Sequence, residues 1–232
     1  MRGLTCQPKS QPVIVGDMVY FNGWTAGNDP GEQVELPAYP EVAAKADANH
    51  DGKLSKDELP PEWRTTGKWR GVDLDRDGLM NEREWTFFRT RRASRNGLFA
   101  VKLGGHGNVT ETNVVWSYDK SLPDVPTPLI YQGVAYLIRN GGILTTLDAR
   151  TGEVLKRGRV REAMEDYYAS PVAADGKVYL ASERGKVIVL RAGGDGEVLA
   201  VNDLGSPIFA TPALVEGRIY VRTRDALYAF GR

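Results

Sequence analysis

The sequence has one cysteine, two histidines, no net charge and no long apolar run, and each shortage removes a class of function. A lone cysteine, Cys6, cannot build an internal disulfide framework, and it leaves the redox compartment open. The 30 basic and 30 acidic residues cancel, so no global field draws the chain to nucleic acid or to an anionic membrane surface. The run Arg89, Arg91, Arg92 and Arg95 reads as the solvated, dipole-compensating end of a helix rather than a phosphate site. No apolar stretch approaches the roughly 20 residues of a membrane span. Met1 to Cys6 carries an arginine with no hydrophobic segment behind it, so a signal peptide is not expected. The chain is therefore expected to be either cytoplasmic or a fragment that has lost its targeting segment. His50 and His106 have no nucleophile beside them, and zinc spacings, phosphate loops and hydrolase triads are lacking. No catalytic residue is assigned, and a noncatalytic role is expected.

What the sequence does contain is a repeat. A proline, a short apolar stretch, a glycine turn and an apolar-Tyr-apolar triplet recur at Pro12 to Phe21, Pro128 to Leu137, Pro171 to Leu180 and Pro212 to Val221. The tyrosines, Tyr20, Tyr136, Tyr179 and Tyr220, each lie eight residues after the proline. Apolar and aromatic residues around a glycine-containing turn predict a tight hairpin, with proline tolerated where the first strand starts. A third strand is predicted around Leu98 and Val101, Leu144 and Leu147, Val187 and Leu190, and Leu227 and Phe230. Polar turns at 150–153 and 194–197 then lead to fourth strands at Val154 to Lys156 and Val198 to Val201. Spacings of 43 and 41 residues between successive prolines predict four-stranded propeller blades, about four of them. The first spacing, 116 residues from Pro12 to Pro128, is one blade plus an insertion of roughly 70 to 75 residues.

The run Leu147 to Leu155, together with Gly-x-Val-Tyr-Leu after a proline-led strand, resembles the pyrroloquinoline-quinone-like (PQQ-like) β-propeller repeat family over residues 10–22 and 96–232. The resemblance implies an all-β propeller, here part of a ring that commonly closes with about seven or eight blades. It admits three functional classes: quinone-dependent oxidoreductase, envelope assembly factor, or plain repeat scaffold. Quinoprotein enzymes of the family carry a docking tryptophan after the Thr-Gly turn, whereas Lys156 and Ala200 stand there, and no residue is assigned to PQQ. The resemblance also implies a periplasmic or extracellular setting, and self-association is expected if four blades must complete a ring. Residues 1–22 and 94–232 are thus expected to form blades, and 38–93 an inserted helical pair.

That insertion carries two 12-residue patterns of the EF-hand type. In the first, Asp47, Asn49, Asp51, the Lys53 carbonyl, Ser55 and Glu58 occupy the ligand positions, with Gly52 at the sharp turn. In the second, Asp73, Asp75, Asp77, the Leu79 carbonyl, Asn81 and Glu84 do so around Gly78. Oxygen donors at alternating positions converge on a hard cation, and a final glutamate can close bidentately. A chance match arises roughly once in several hundred thousand windows, so two in one chain predict two calcium sites. The Lys53 charge is expected to point away. Three carboxylates in the first loop against four in the second predict the second to be tighter.

Only fourteen residues separate Glu58 from Asp73, and Pro60 and Pro61 cut short any helix after the first loop. Helices are predicted over Glu62 to Val72 and Glu82 to Arg92, with Trp63, Trp69, Trp85, Phe87 and Phe88 packing the pair. Such abridged helices suit a structural or buffering role better than a sensor. The blade connections, on the face expected to bear the insertion, gather Tyr118, Asp119, Lys120, Asp124, Glu162, Glu165, Asp166, Tyr167, Tyr168 and Asp203. They are a candidate surface for a protein or small-molecule ligand.

Overall fold

In the computed structural model the described residues are 1–5, 8–64 and 69–231; Cys6 lies outside them. Val13–Val15 (β1) and Met18–Gly23 (β2) form the first hairpin, with Val13 opposite Tyr20. The chain then leaves the sheet. Residues Gly27–Arg95 form a unit of their own, and Met1–Ala26 with Asn96–Arg232 form the other.

In the smaller unit the ordered elements are Tyr39–Ala46 (α1), the two-residue strands Leu54–Ser55 (β3) and Leu79–Met80 (β4), and Glu82–Ala93 (α2). Its core joins Leu36, Val42, Leu54, Leu59, Val72, Met80, Trp85 and Phe88, with Val34 packed alongside. The Trp85 ring is fully buried between Trp63 and Phe88, with centroids 5.6 and 5.8 Å away, and its indole N–H donates to the Pro37 carbonyl at 2.9 Å. Phe87 differs from expectation: it is exposed, because on a helix a residue two places from Trp85 points away from the face that Trp85 and Phe88 share. The helix expected over Glu62 to Val72 is replaced in its described parts by short 3-10 turns at Pro61–Trp63 and Trp69–Gly71; residues 65–68 lie outside the described residues. Pro61 stands at the first position of its turn, where its fixed φ and missing amide are tolerated.

The larger unit resumes with Gly97–Lys102 (β5), which pairs with β2 and places Ala100 opposite Tyr20; Val114–Tyr118 (β6) lies outside it. The second sheet consists of Leu129–Tyr131 (β7), Val134–Arg139 (β8), Ile143–Asp148 (β9) and Val154–Arg159 (β10). The third repeats it as Val172–Ala174 (β11), Lys177–Ala181 (β12), Lys186–Arg191 (β13) and Val198–Asp203 (β14). A three-stranded fourth sheet holds Ala213–Val215 (β15), Arg218–Arg222 (β16) and Leu227–Phe230 (β17). All pairings are antiparallel, and the first strands approach one another in series, β1 to β7 to β11 to β15. This is part of a propeller-type fold.

The stacking explains why β8 reads as an unbroken apolar run rather than an alternating one. Tyr136, Ile138 and Leu144 pack toward Val178, Leu180, Ile188 and Leu190 of the third sheet. Ala135, Leu137 and Leu147 pack the other way, with Tyr20, Leu98, Ala100 and Trp116 of the first. A sheet buried on both faces needs apolar residues at every position.

Polar locks accompany the packing. The Tyr20 hydroxyl and the Trp116 indole N–H both donate to the Ala149 carbonyl, each at 3.0 Å. Trp116 lies on Gly152, where an added Cβ would sit 2.6 Å from the ring. The docking tryptophan sought after the Thr-Gly turns is thus present one sheet earlier, on β6. Between the second and third sheets Lys156 takes the equivalent place: its ammonium donates to the Asp195 carbonyl, while the Tyr136 hydroxyl donates to the Gly193 carbonyl at 3.1 Å.

Candidate metal centre

The two loops of the smaller unit share one backbone path. His50 and Arg76, at the fourth loop position, have φ of 58° and 64°, and Gly52 and Gly78, at the sixth, have 78° and 83°. Left-handed backbone at these places turns successive side chains and amides inward, and the sixth position admits only glycine at low cost. The loops meet where Leu54 pairs with Met80 and Ser55 with Leu79; Leu54 and Met80 are fully buried. The Tyr39 hydroxyl donates to the Gly52 carbonyl at 2.8 Å and the Met80 carbonyl at 3.3 Å, a tie from α1 to both loops that no sequence pattern marks.

In the first loop Asp47 accepts from the amides of Asp51 and Gly52 at 3.2 and 3.0 Å, and Asn49 accepts from the Asp51 amide at 3.0 Å. The Asn49 carboxamide donates to Asp51 at 3.0 Å, and Asp51 accepts from the Lys53 amide at 2.8 Å. Glu58 folds back on the loop, taking the Ala48 amide at 3.1 Å and the Ser55 amide at 2.8 Å, while the Ser55 hydroxyl accepts from the Glu58 amide at 3.3 Å. The Ser55 amide and hydroxyl hold the Glu58 carboxyl below its ordinary pKa.

The second loop repeats this and closes further. Asp73 accepts from the Gly78 amide at 3.1 Å, Asp75 from the Asp77 amide at 3.2 Å and Asp77 from the Leu79 amide at 2.8 Å. Glu84 takes the amides of Leu74, Asp75 and Asn81 at 2.6, 3.2 and 3.0 Å. Asn81 is both the ninth loop residue and the N-cap of α2, forming a capping box with Glu84 and donating to Asp75 at 3.3 Å. Carboxylate oxygens of Asp73, Asp75 and Glu84 lie within 4.8 Å of one another, the one such gathering among the described residues. Asp73 is only 6% exposed, and its Oδ1 is buried without a hydrogen-bond partner. A buried carboxylate oxygen without a donor is costly unless a cation balances it, so the donor set fits a hard, oxygen-seeking divalent ion.

The Lys53 ammonium turns away from its own loop and pairs with Asp77 Oδ2 of the other loop. The β3–β4 pairing joins the two loops, and the Lys53 side chain reaches across to hold the Asp77 carboxyl below its ordinary pKa.

In the larger unit the candidate ligand surface loses several members. Tyr118 and Tyr167 are buried; the Tyr167 hydroxyl donates to the Ala163 carbonyl at 2.7 Å, and burial pushes its pKa up. Asp124 pairs with Lys9 and Glu165 with Lys186, at 2.6 and 2.8 Å. Tyr168 stays exposed, 5.6 Å from an exposed Phe209 that the sequence reading did not single out.

Comparison with known proteins bears on the sheets. Residues 106–194 match the family profile described as outer membrane protein assembly factor BamB. BamB of Yersinia pestis is 26% identical over 95 residues, 41% of this chain and 23% of that protein. Among solved structures, BamB from Moraxella catarrhalis aligns over 59% of this chain and 41% of its own, with 21% identity and a TM-score of 0.47. The quinohemoprotein alcohol dehydrogenase ADHIIG from Pseudomonas putida HK5 aligns over 54% and 25%, with 15% identity and a TM-score of 0.43. The chain spans less than half the length of each. The profile match and the repeated sheets agree on a PQQ-like propeller repeat, and the profile match stops short of residues 27–95.

Proposed function

We propose that this chain is a noncatalytic, calcium-binding propeller-type repeat module, with residues 38–93 forming an EF-hand pair. Asp47, Asn49, Asp51, Lys53 through its carbonyl, Ser55 and Glu58 would hold one ion. Asp73, Asp75, Asp77, Leu79 through its carbonyl, Asn81 and Glu84 would hold the other. The observation that carries this reading is the unpartnered, buried Asp73 Oδ1 beside the carboxylates of Asp75 and Glu84. A bound ion supplies charge balance for these carboxylates and stabilises the folded state by mass action. Titration calorimetry on the chelator-stripped chain is expected to show two binding events, and calcium is expected to raise the melting temperature. No heat of binding and no change in melting temperature would overturn the reading.

A second layer concerns the partner. The match to an outer membrane assembly factor supports a scaffold that binds protein in the cell envelope, and none of the described helices is long and apolar enough to cross a membrane. Dye-linked alcohol oxidation on adding PQQ and calcium would instead favour the quinoprotein alternative.

A further inference from the structure

We propose that Lys53 is a built-in competitor for the cation of the second loop and that it levels the two sites. The inference rests on the calcium reading above and adds a determinant that the ligand pattern does not contain. The Lys53 ammonium sits on Asp77 Oδ2, and Asp77 Oδ1 takes the Leu79 amide at 2.8 Å. Both Asp77 oxygens are thus engaged within the protein, whereas Asp73 keeps one oxygen free. A cation that draws on Asp77 must displace the ammonium or share the carboxylate with it, and in either case a positive charge already stands beside the incoming one.

Charge makes the consequence concrete. The second loop offers Asp73, Asp75, Asp77 and Glu84, the first offers Asp47, Asp51 and Glu58. One ammonium on the second loop cancels the extra carboxylate. The affinity order expected from counting carboxylates alone is therefore erased. The effect is one-sided, since the residue of the second loop that corresponds to Lys53 is Leu79, which carries no charge to the first.

The test is calorimetric calcium titration of the full chain with Asp47→Ala silencing the first loop, in three versions: Lys53 kept, Lys53→Gln and Lys53→Arg. Removing a unit charge from beside a partly exposed ion is expected to tighten the second site by about three- to tenfold. Lys53→Arg, which keeps the charge, is expected to return the affinity to that of the Lys53 parent. In a Glu84→Gln background, which leaves the first loop to report, Lys53→Gln is expected to tighten binding less than it does at the second site, because the ammonium pairs directly with Asp77. If Asp47→Ala does not fold, Glu58→Gln silences the first loop in its place. An unchanged or weaker second site in Lys53→Gln, or an equal gain at both sites, overturns the proposal while leaving calcium binding intact. Absence of uptake by the unaltered chain overturns the calcium reading itself.

Discussion

The Ala149 carbonyl offers a sharp test of how neighbouring sheets are locked. It lies on a residue only 5% exposed and accepts two hydrogen bonds, from the Tyr20 hydroxyl and the Trp116 indole, each at 3.0 Å. Tyr20→Phe or Trp116→Phe removes one donor and leaves the other, so the oxygen stays satisfied. Each single change is expected to cost about 1 kcal/mol for the lost bond, with Trp116→Phe somewhat dearer because the smaller ring also vacates space against Gly152. The double variant strips both donors from one buried oxygen and exposes the full desolvation cost of an unmet carbonyl, roughly 1–3 kcal/mol. The two losses are therefore expected to be superadditive by about 1 kcal/mol or more. Urea unfolding followed by far-ultraviolet circular dichroism, on all four members of the cycle, measures this. Additivity to within about 0.3 kcal/mol would refute the reasoning, since it would mean that the two bonds act independently.

Other expectations follow from the same geometry. Gly142 and Gly185 hold equivalent places in consecutive sheets, with φ of 67° and 99°, and in each an added Cβ would sit 2.5 Å from a backbone oxygen, that of Ala163 or Ser206; either glycine changed to alanine is expected to cost about 2–4 kcal/mol in urea unfolding. Asp148 accepts from the Thr151 and Arg150 amides and the Thr151 hydroxyl, and the Thr151 contacts chiefly hold its pKa below the ordinary value. Its contribution is then complete above the unfolded carboxylate pKa and is lost as the pH falls through the lower folded value; in Asp148→Asn that part of the acid-limb slope should vanish when stability is measured from pH 6 down to about pH 2. In the smaller unit, Trp85→Ala is expected to cost about 3–5 kcal/mol, while Phe87→Ser, on the exposed side of α2, should stay within about 0.5 kcal/mol.

The sheets were legible because a repeat averages out local ambiguity. Any one of the hairpins could be mistaken for a lone turn, but four tyrosines at a fixed distance from four prolines fix both register and period. The hairpins at Tyr131–Val134, Ala174–Lys177 and Val215–Arg218 then share one backbone solution, with Gln132, Asp175 and Glu216 at φ near 50° before a glycine. What the sequence could not display is which residue carries a lock across sheets. Trp116 precedes the turn it docks on by a whole sheet boundary, and Lys156, which stands at the docking position, shows no sign in sequence that its stem lies over Gly196 and its ammonium reaches the Asp195 carbonyl. Both are long-range contacts between elements that no local window contains. Phe87 and Phe88 show the same limit at shorter range: adjacent aromatics read as one apolar signal, and only the phase set by Trp85 separates the buried ring from the exposed one.

The candidate site divides along a similar line. Backbone-determined features were readable, because glycine at the sixth position and an Asn81–Glu84 or Ser55–Glu58 box are local rules that each loop satisfies by itself. Charge was not, because the field at a loop is set by whatever the fold brings beside it. Counting carboxylates within a twelve-residue window assigns Lys53 to the first loop, where its ammonium would be idle. The pairing of Leu54 with Met80 joins the loops, and that ammonium lies on the second loop instead, on Asp77. A count that treats the loops separately therefore ranks them by a charge difference that the Lys53–Asp77 pair offsets in the folded unit.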